Sequence, residues 1–170
     1  LYLTNNFLSS QLLTELGLVT SLQVLVLNEN HFIGTLPSEM GQLEHLMWAY
    51  LESNQLTGTV PSTILGNSSR MAALEDLVLT SNQLTGRLSI GNDAAASGHL
   101  TSLVTLGLAD NFLDGPISSE LGTLPLLQQV YLSDNLLTGS LPSEIFLLTT
   151  LTALELQNNK LIGSIPTSIG

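Results

Sequence analysis

One asparagine recurs in a fixed frame along this 170-residue chain, and no other feature limits the possible folds so tightly. It stands at Asn6, Asn30, Asn54, Asn82, Asn111, Asn135 and Asn159, at spacings of 24, 24, 28, 29, 24 and 24 residues. Three residues before it there is always a leucine: Leu3, Leu27, Leu51, Leu79, Leu108, Leu132 and Leu156. Five before it stand Leu1, Leu25, Ala49, Leu77, Leu106, Val130 and Leu154. Two after it come Leu8, Phe32, Leu56, Leu84, Leu113, Leu137 and Leu161, and six after it Leu12, Leu36, Val60, Leu88, Ile117, Leu141 and Ile165.

The apolar-x-apolar step ahead of the asparagine has period 2, so both apolar residues point to one side of a short strand. One such strand cannot bury its apolar face alone. Stacked coils bury it together, in a parallel sheet over a continuous leucine interior. Asparagine carries both a donor and an acceptor. At the bend after the strand it can satisfy backbone groups that leave the sheet, each of which would cost about 1–3 kcal/mol if buried unpaired. The seven asparagines are therefore read as scaffold. The expected fold is an α/β repeat: a right-handed β-α superhelix with the parallel sheet on its concave face. Short helices, 3₁₀ turns or irregular coil should cover the convex side. Residues 1–170 are expected to form one domain of seven repeats, and Leu1-Tyr2-Leu3 already lies inside a motif, as in a piece of a longer array.

Glycine follows the asparagine by four in six repeats: Gly34, Gly58, Gly86, Gly115, Gly139 and Gly163. Proline often comes three later, at Pro37, Pro61, Pro142 and Pro166. A segment such as Asn54-Gln55-Leu56-Thr57-Gly58-Thr59-Val60-Pro61 resembles the plant-type subclass of leucine-rich repeats, LxxLxxLxLxxNxLxGxIP, and the resemblance covers nearly the whole chain. It implies recognition outside the cell, as in the ectodomains of receptor-like kinases and receptor-like proteins, or in inhibitors of wall-degrading enzymes. Departures are Ser10 and Leu13 in the first repeat, Ser89 and Ser118 in place of proline, and the lack of capping cysteine pairs.

Pro37-Ser38-Glu39 and Pro142-Ser143-Glu144 read as helix starts, and Ser118-Ser119-Glu120 does so without the proline. Gly41 and Gly122 are expected to end those helices. The two long spacings place extra residues around 65–70 and 90–99, on the convex or lateral side of adjacent repeats. Loop growth there costs little. The first holds Asn67-Ser68-Ser69, the one glycosylation sequon, so Asn67 is a candidate glycan site in a secreted protein.

Fourteen acidic residues stand against three basic ones, a net charge of −11. That excludes nucleic acid, whose phosphates require Lys and Arg, and an anionic membrane surface. The apolar residues are spaced, so this segment does not insert into a membrane. No cysteine, metal-ligand spacing or nucleophile motif occurs, which points away from an enzyme, a metal or any cofactor. Asp110 and Asp134 fall in adjacent repeats, but acids are common at this turn, and a turn role is preferred to a calcium site.

Function is then expected on the concave face, at the variable strand positions. Tyr2, Val24, Val26, Trp48 and Tyr50 should form one patch rimmed by Glu29, His31, Glu52, Glu75 and Asp76. It holds the only tryptophan and two of three tyrosines. An aromatic centre with an acidic rim suits a protein or peptide ligand carrying basic groups. The expected setting is extracellular or at the cell surface, in a receptor-like protein. The alternatives are an inhibitor of a secreted hydrolase and a protein that binds a polysaccharide or ice surface. The mixture of Tyr, Val, Gly and Glu along the exposed column disfavours the last.

Overall fold

The computed structural model describes residues 1–66, 69–91 and 100–166. Each repeat makes one coil of a solenoid. The strands ahead of the asparagines are β1 (Val24–Val26), β3 (Trp48–Tyr50), β5 (Asp76–Val78), β7 (Thr105–Gly107), β9 (Gln129–Tyr131) and β11 (Ala153–Glu155). They form a parallel sheet in that order. Equivalent positions pair, for example Val24 with Trp48 and Trp48 with Asp76, so the columns of the sequence are columns in space. The inward residues of β1 to β9, Leu25, Ala49, Leu77, Leu106 and Val130, are buried, and Leu154 of β11 is partly buried. Full burial of one leucine contributes about 1.5–3 kcal/mol.

The asparagines form the expected ladder. Nδ2 of Asn111 donates to the carbonyls of Leu79, Leu108 and Ala109 at 3.1–3.2 Å, and its Oδ1 accepts from the amide of Leu84 at 2.9 Å. Leu79 and Leu84 belong to the preceding coil, so the side chain closes its own bend and completes the neighbour's. Asn30, Asn54, Asn82, Asn135 and Asn159 repeat the pattern. The residue just before each asparagine holds a left-handed φ near 55°, from Asn5 through Glu29, Ser53, Ser81, Asp110 and Asp134 to Asn158. Asn and Asp tolerate that region best, which accounts for much of this column's composition.

A second parallel sheet was not expected. It follows the asparagines and runs β12 (Lys160–Leu161), β10 (Leu136–Gly139), β8 (Phe112–Pro116), β6 (Gln83–Arg87), β4 (Gln55–Gly58), β2 (Ile33–Thr35). Its glycines have φ between 73° and 79°. Leu-x-Gly-x-Leu has the period-2 alternation of a strand, with glycine at the point where the coil turns.

On the remaining side lie 3₁₀ helices at Thr14–Leu18, Ser38–Gln42, Ser119–Thr123 and Ser143–Leu147, and one α-helical turn, α1, at Ser62–Leu65. Pro37 and Pro142 immediately precede two of the 3₁₀ helices. Gly41 and Gly122 do not end these helices but lie inside them. A Cβ on Gly41 would collide with the carbonyl of Thr63, and one on Gly122 with that of Glu144. Close packing of successive coils, not chain reversal, demands glycine there. The acids of these turns are held locally: Glu120 accepts from Ser118 and Ser119, which keeps its carboxyl below the usual range.

The two extended repeats sit side by side, since the amide of Gly91 donates to the carbonyl of Leu65 at 2.8 Å. Asn67 and residues 92–99 lie outside the described residues. Among those described, no helix is long and apolar enough to cross a membrane.

Candidate functional site

Strands β1, β3 and β5 bring the first three variable columns together. One row reads Val24, Trp48, Asp76 and the next Val26, Tyr50, Val78. Tyr2 extends the second row by pairing with Val26. Adjacent strands stand about 4.8 Å apart and next-but-one residues about 6.6 Å, so these side chains are contiguous. Tyr2, Val24, Val26, Trp48 and Tyr50 line a concavity of about 530 Å³ together with Glu75, Asp76 and Val104. Tyr2 is largely exposed, whereas Trp48 and Tyr50 are half-buried.

Both half-buried aromatics are tied to acids of the following coil. Trp48 donates its indole N–H to Oε2 of Glu75 at 3.0 Å. Tyr50 donates its hydroxyl to Oδ2 of Asp76 at 2.6 Å. Desolvation, the bond to Asp76 and the charges of Asp76, Glu52 and Glu75 push the Tyr50 phenol up to about 12. It therefore remains a donor at physiological pH. These bonds hold the rings in place and leave their remaining surface facing the concavity, an arrangement that presents contact area at low entropic cost.

The acidic rim is less uniform than its sequence suggests. Glu75 and Asp76 line the concavity, but Glu29, Glu52 and His31 do not. Glu52 is two residues beyond Tyr50 on the same strand path and is half-buried. Desolvation, reinforced by the charge of Glu29, raises its carboxyl above the usual range. One of its oxygens, Oε2, is buried without a hydrogen-bond partner. Glu29 occupies the left-handed turn position. His31 follows the asparagine, so it leads into the second sheet, where its ring lies 6.1 Å from that of Phe7. Val104 was missed by the sequence reading. It immediately precedes β7, a column whose members in other repeats are Gln23, Met47, Glu75, Gln128 and Thr152. The presence of Glu75 in that column was the available signal.

Among the described residues, no group of three or more acidic or histidine side chains converges as a metal site. Asp134 accepts from Asn158 at 2.7 Å.

Comparison with known proteins supplies the family. The Leucine Rich Repeat model matches residues 21–43, 126–148 and 150–170. No curated protein matches the chain. Among solved structures, the ectodomain of the Arabidopsis receptor kinase HAESA, in complex with an extended IDA peptide hormone, superposes with a TM-score of 0.87. It is 31% identical, over 98% of this chain and 26% of its own. PEPR1 in its AtPEP1 complex gives a TM-score of 0.84 and 35% identity, over 94% of this chain and 21% of PEPR1. A TDR receptor gives 0.74 and 30%, over 99% and 32%. The chain thus spans about a quarter of the length of the receptor chains it resembles. With its asparagine ladder, its parallel concave sheet and these matches together, the chain belongs to the leucine-rich-repeat family, in its plant-type form.

Proposed function

We propose that the concave face binds a peptide or an extended protein segment, and that the chain is a ligand-binding region presented outside the cell. The carrying observation is the pair of half-buried aromatics, Trp48 and Tyr50, each fixed by a carboxylate of the next coil. Rigid aromatics at the centre of a concavity supply most of the binding energy in such interfaces. Two structural relatives support the reading: HAESA is seen with the peptide hormone IDA, and PEPR1 with AtPEP1. The site is proposed as Tyr2, Val24, Val26, Trp48, Tyr50 and Asp76, flanked by Glu29, His31 and Glu52. The chain acts as a binding module rather than as an enzyme. In a protein that passes through a secretory pathway, Asn67 carries a glycan; mass spectrometry showing it unoccupied in secreted material would remove that assignment.

Selection from a displayed library of random 15-residue peptides tests the reading. Peptides that bind should lose at least about 30-fold in affinity on Trp48→Ala, as central aromatic truncations do. Glu155→Ala, at the far end of the sheet, should cost little. Selected peptides that ignore Trp48→Ala but are lost with Arg70→Ala would move the site to the convex side and overturn the proposal.

A further inference from the structure

Three aromatic side chains wall one notch of the concave face. Along one row of the first sheet run Tyr2, Val26 and Tyr50, and beside it run Val24 and Trp48. The floor is therefore the two outward valines of β1, with Tyr2 on one side and Trp48 and Tyr50 on the other. All five line the same concavity. Tyr2 and Tyr50 stand two strand spacings apart, about 9.6 Å. A group seated midway, over Val26, is about 5 Å from each column, inside the ~6 Å over which a ring face attracts a cation.

The protein itself does not occupy those ring faces. Among the described residues, the aromatic rings in mutual contact are Phe7 and His31, outside the notch. No described lysine, arginine or histidine lines the concavity. Arg70 pairs with Glu44 at 3.4 Å, Arg87 lies along Gly115 in the second sheet, and Lys160 opens β12. The polar edges of the two half-buried rings, in contrast, are engaged. The indole N–H of Trp48 donates to Glu75, and the Tyr50 hydroxyl donates to Asp76 at 2.6 Å, a short charge-assisted bond. Both acids belong to the next coil, so these edges turn away from the valine floor. Donation to an anion also polarises the donor. It pushes electron density into the ring and makes the ring face a better seat for positive charge.

Building on the concave-face reading, we propose that the notch between Tyr2 and the Trp48–Tyr50 pair receives an alkylated ammonium group, of the trimethyl-lysine kind, carried by the bound peptide. The ring faces attract its charge, and its methyl groups rest on Val24 and Val26. It has no N–H donor, so it needs no acceptor at the floor. A bare ammonium brings three donors and a guanidinium five, which valine methyls and ring faces leave unsatisfied. Glu75 and Asp76 are then positioning residues: they fix and polarise the rings rather than touch the ligand's charge.

The test uses the intact chain and three blocked tripeptides, Ac-Gly-X-Gly-NH2. X is trimethyl-lysine, lysine, or the neutral twin with a tert-butyl group in place of trimethylammonium. The single indole N–H, that of Trp48, provides an unambiguous NMR reporter. The trimethyl-lysine peptide should shift this resonance and bind at least ~10-fold more tightly than its neutral twin. It should also bind more tightly than the lysine peptide, and at least ~10-fold more tightly than free tetramethylammonium chloride. Tyr2→Leu removes one wall and leaves the fold alone, since that ring is largely exposed; it should shrink the charged-to-neutral ratio. Asp76→Asn should shrink the ratio too, without changing the neutral twin's own affinity. Glu155→Gln, at the far end of the sheet, should preserve it.

Equal binding of the trimethyl-lysine peptide and its neutral twin would make the notch a merely apolar subsite, overturning the ammonium inference and leaving the recognition reading standing. Tighter binding of unmodified lysine would also overturn it, because the acids would then hold the ligand directly. So would a ratio that survives both Tyr2→Leu and Asp76→Asn. Tetramethylammonium binding as tightly as the peptide would assign the notch to a small free cation and overturn the peptide-borne assignment. If neither these peptides nor the library-selected ones perturb Trp48, the concave-face reading itself fails, and the ammonium inference with it.

Discussion

Thr35 lies over Gly58: a Cβ on that glycine would stand 2.8 Å from Cγ2 of the threonine. The same relation links Thr59 to Gly86, whereas at Gly139 the nearest atom, Cβ of Pro116, is at 3.5 Å. All three glycines have left-handed φ, between 73° and 79°. Gly58→Ala should therefore pay for backbone strain and for displacing Thr35, about 2–3 kcal/mol in all. Gly139→Ala should show the strain alone, about 1–2 kcal/mol. Urea midpoints of the two variants measure the difference. Equal shifts would mean that inter-coil contact contributes nothing to the glycine column.

Asn111→Ala should rank among the most damaging single changes, at about 2–4 kcal/mol. It strips a buried side chain that serves backbone groups in two coils. Asn158 is exposed and bonds only Asp134, although its φ of 57° favours asparagine. Asn158→Ala should cost about 1 kcal/mol. A smaller loss for Asn111 than for Asn158, in denaturant melts of both, would contradict the ladder's role.

Alkaline titration should reveal Tyr50. One of three tyrosines should remain protonated until about pH 12, as read from phenolate absorbance, and this late step should vanish in Tyr50→Phe. Asp76→Asn removes both a hydrogen bond and a charge that raise the phenol, so the step should move to lower pH. If it stays in place, the Tyr50–Asp76 bond does not form in solution.

Glu52 should make the protein slightly less stable as pH rises. Its carboxyl titrates above the unfolded value of 4.5, so between the two values the folded state binds more protons. Stability then falls as pH climbs through that window. Glu52→Gln should melt higher at neutral pH by less than about 1 kcal/mol, a modest figure because solvent screens a half-buried group. The two melting curves should converge near pH 3.5, below the ordinary carboxylate range. A wild-type protein that gains stability across the window, relative to the variant, would reverse the assignment.

The solenoid was legible because its signals are strictly periodic. Leu27, Asn30 and Phe32 recur in register in every coil, and the bounds of the concave strands coincide with the columns read from sequence. The Tyr2–Val24–Val26–Trp48–Tyr50 patch followed from the same register. The second sheet was harder to see, because its alternation is interrupted by the glycine that makes it turn. Gly41 and Gly122 looked like helix ends because local pattern cannot report a neighbouring coil's carbonyl. The positive φ of Glu29 is likewise invisible to composition alone. The division of the acids, with Glu75 and Asp76 holding rings and one oxygen of Glu52 buried without a partner, depends on side-chain placement that no spacing encodes.

The asparagine ladder has a direction. Asn54 reaches back to Leu27 and Phe32, Asn82 to Leu51 and Leu56, and Asn135 to Leu108 and Leu113. Each bend is thus finished by a residue that comes 22 to 32 positions later in the chain. On the ribosome, at about 5–20 residues per second, every coil must wait one to several seconds for its closing side chain to be made. Folding should then advance as a zipper running behind synthesis, one coil in arrears. Force measurements on arrested nascent chains should show tension rising in steps as successive asparagines leave the exit tunnel, not as successive leucine strands do.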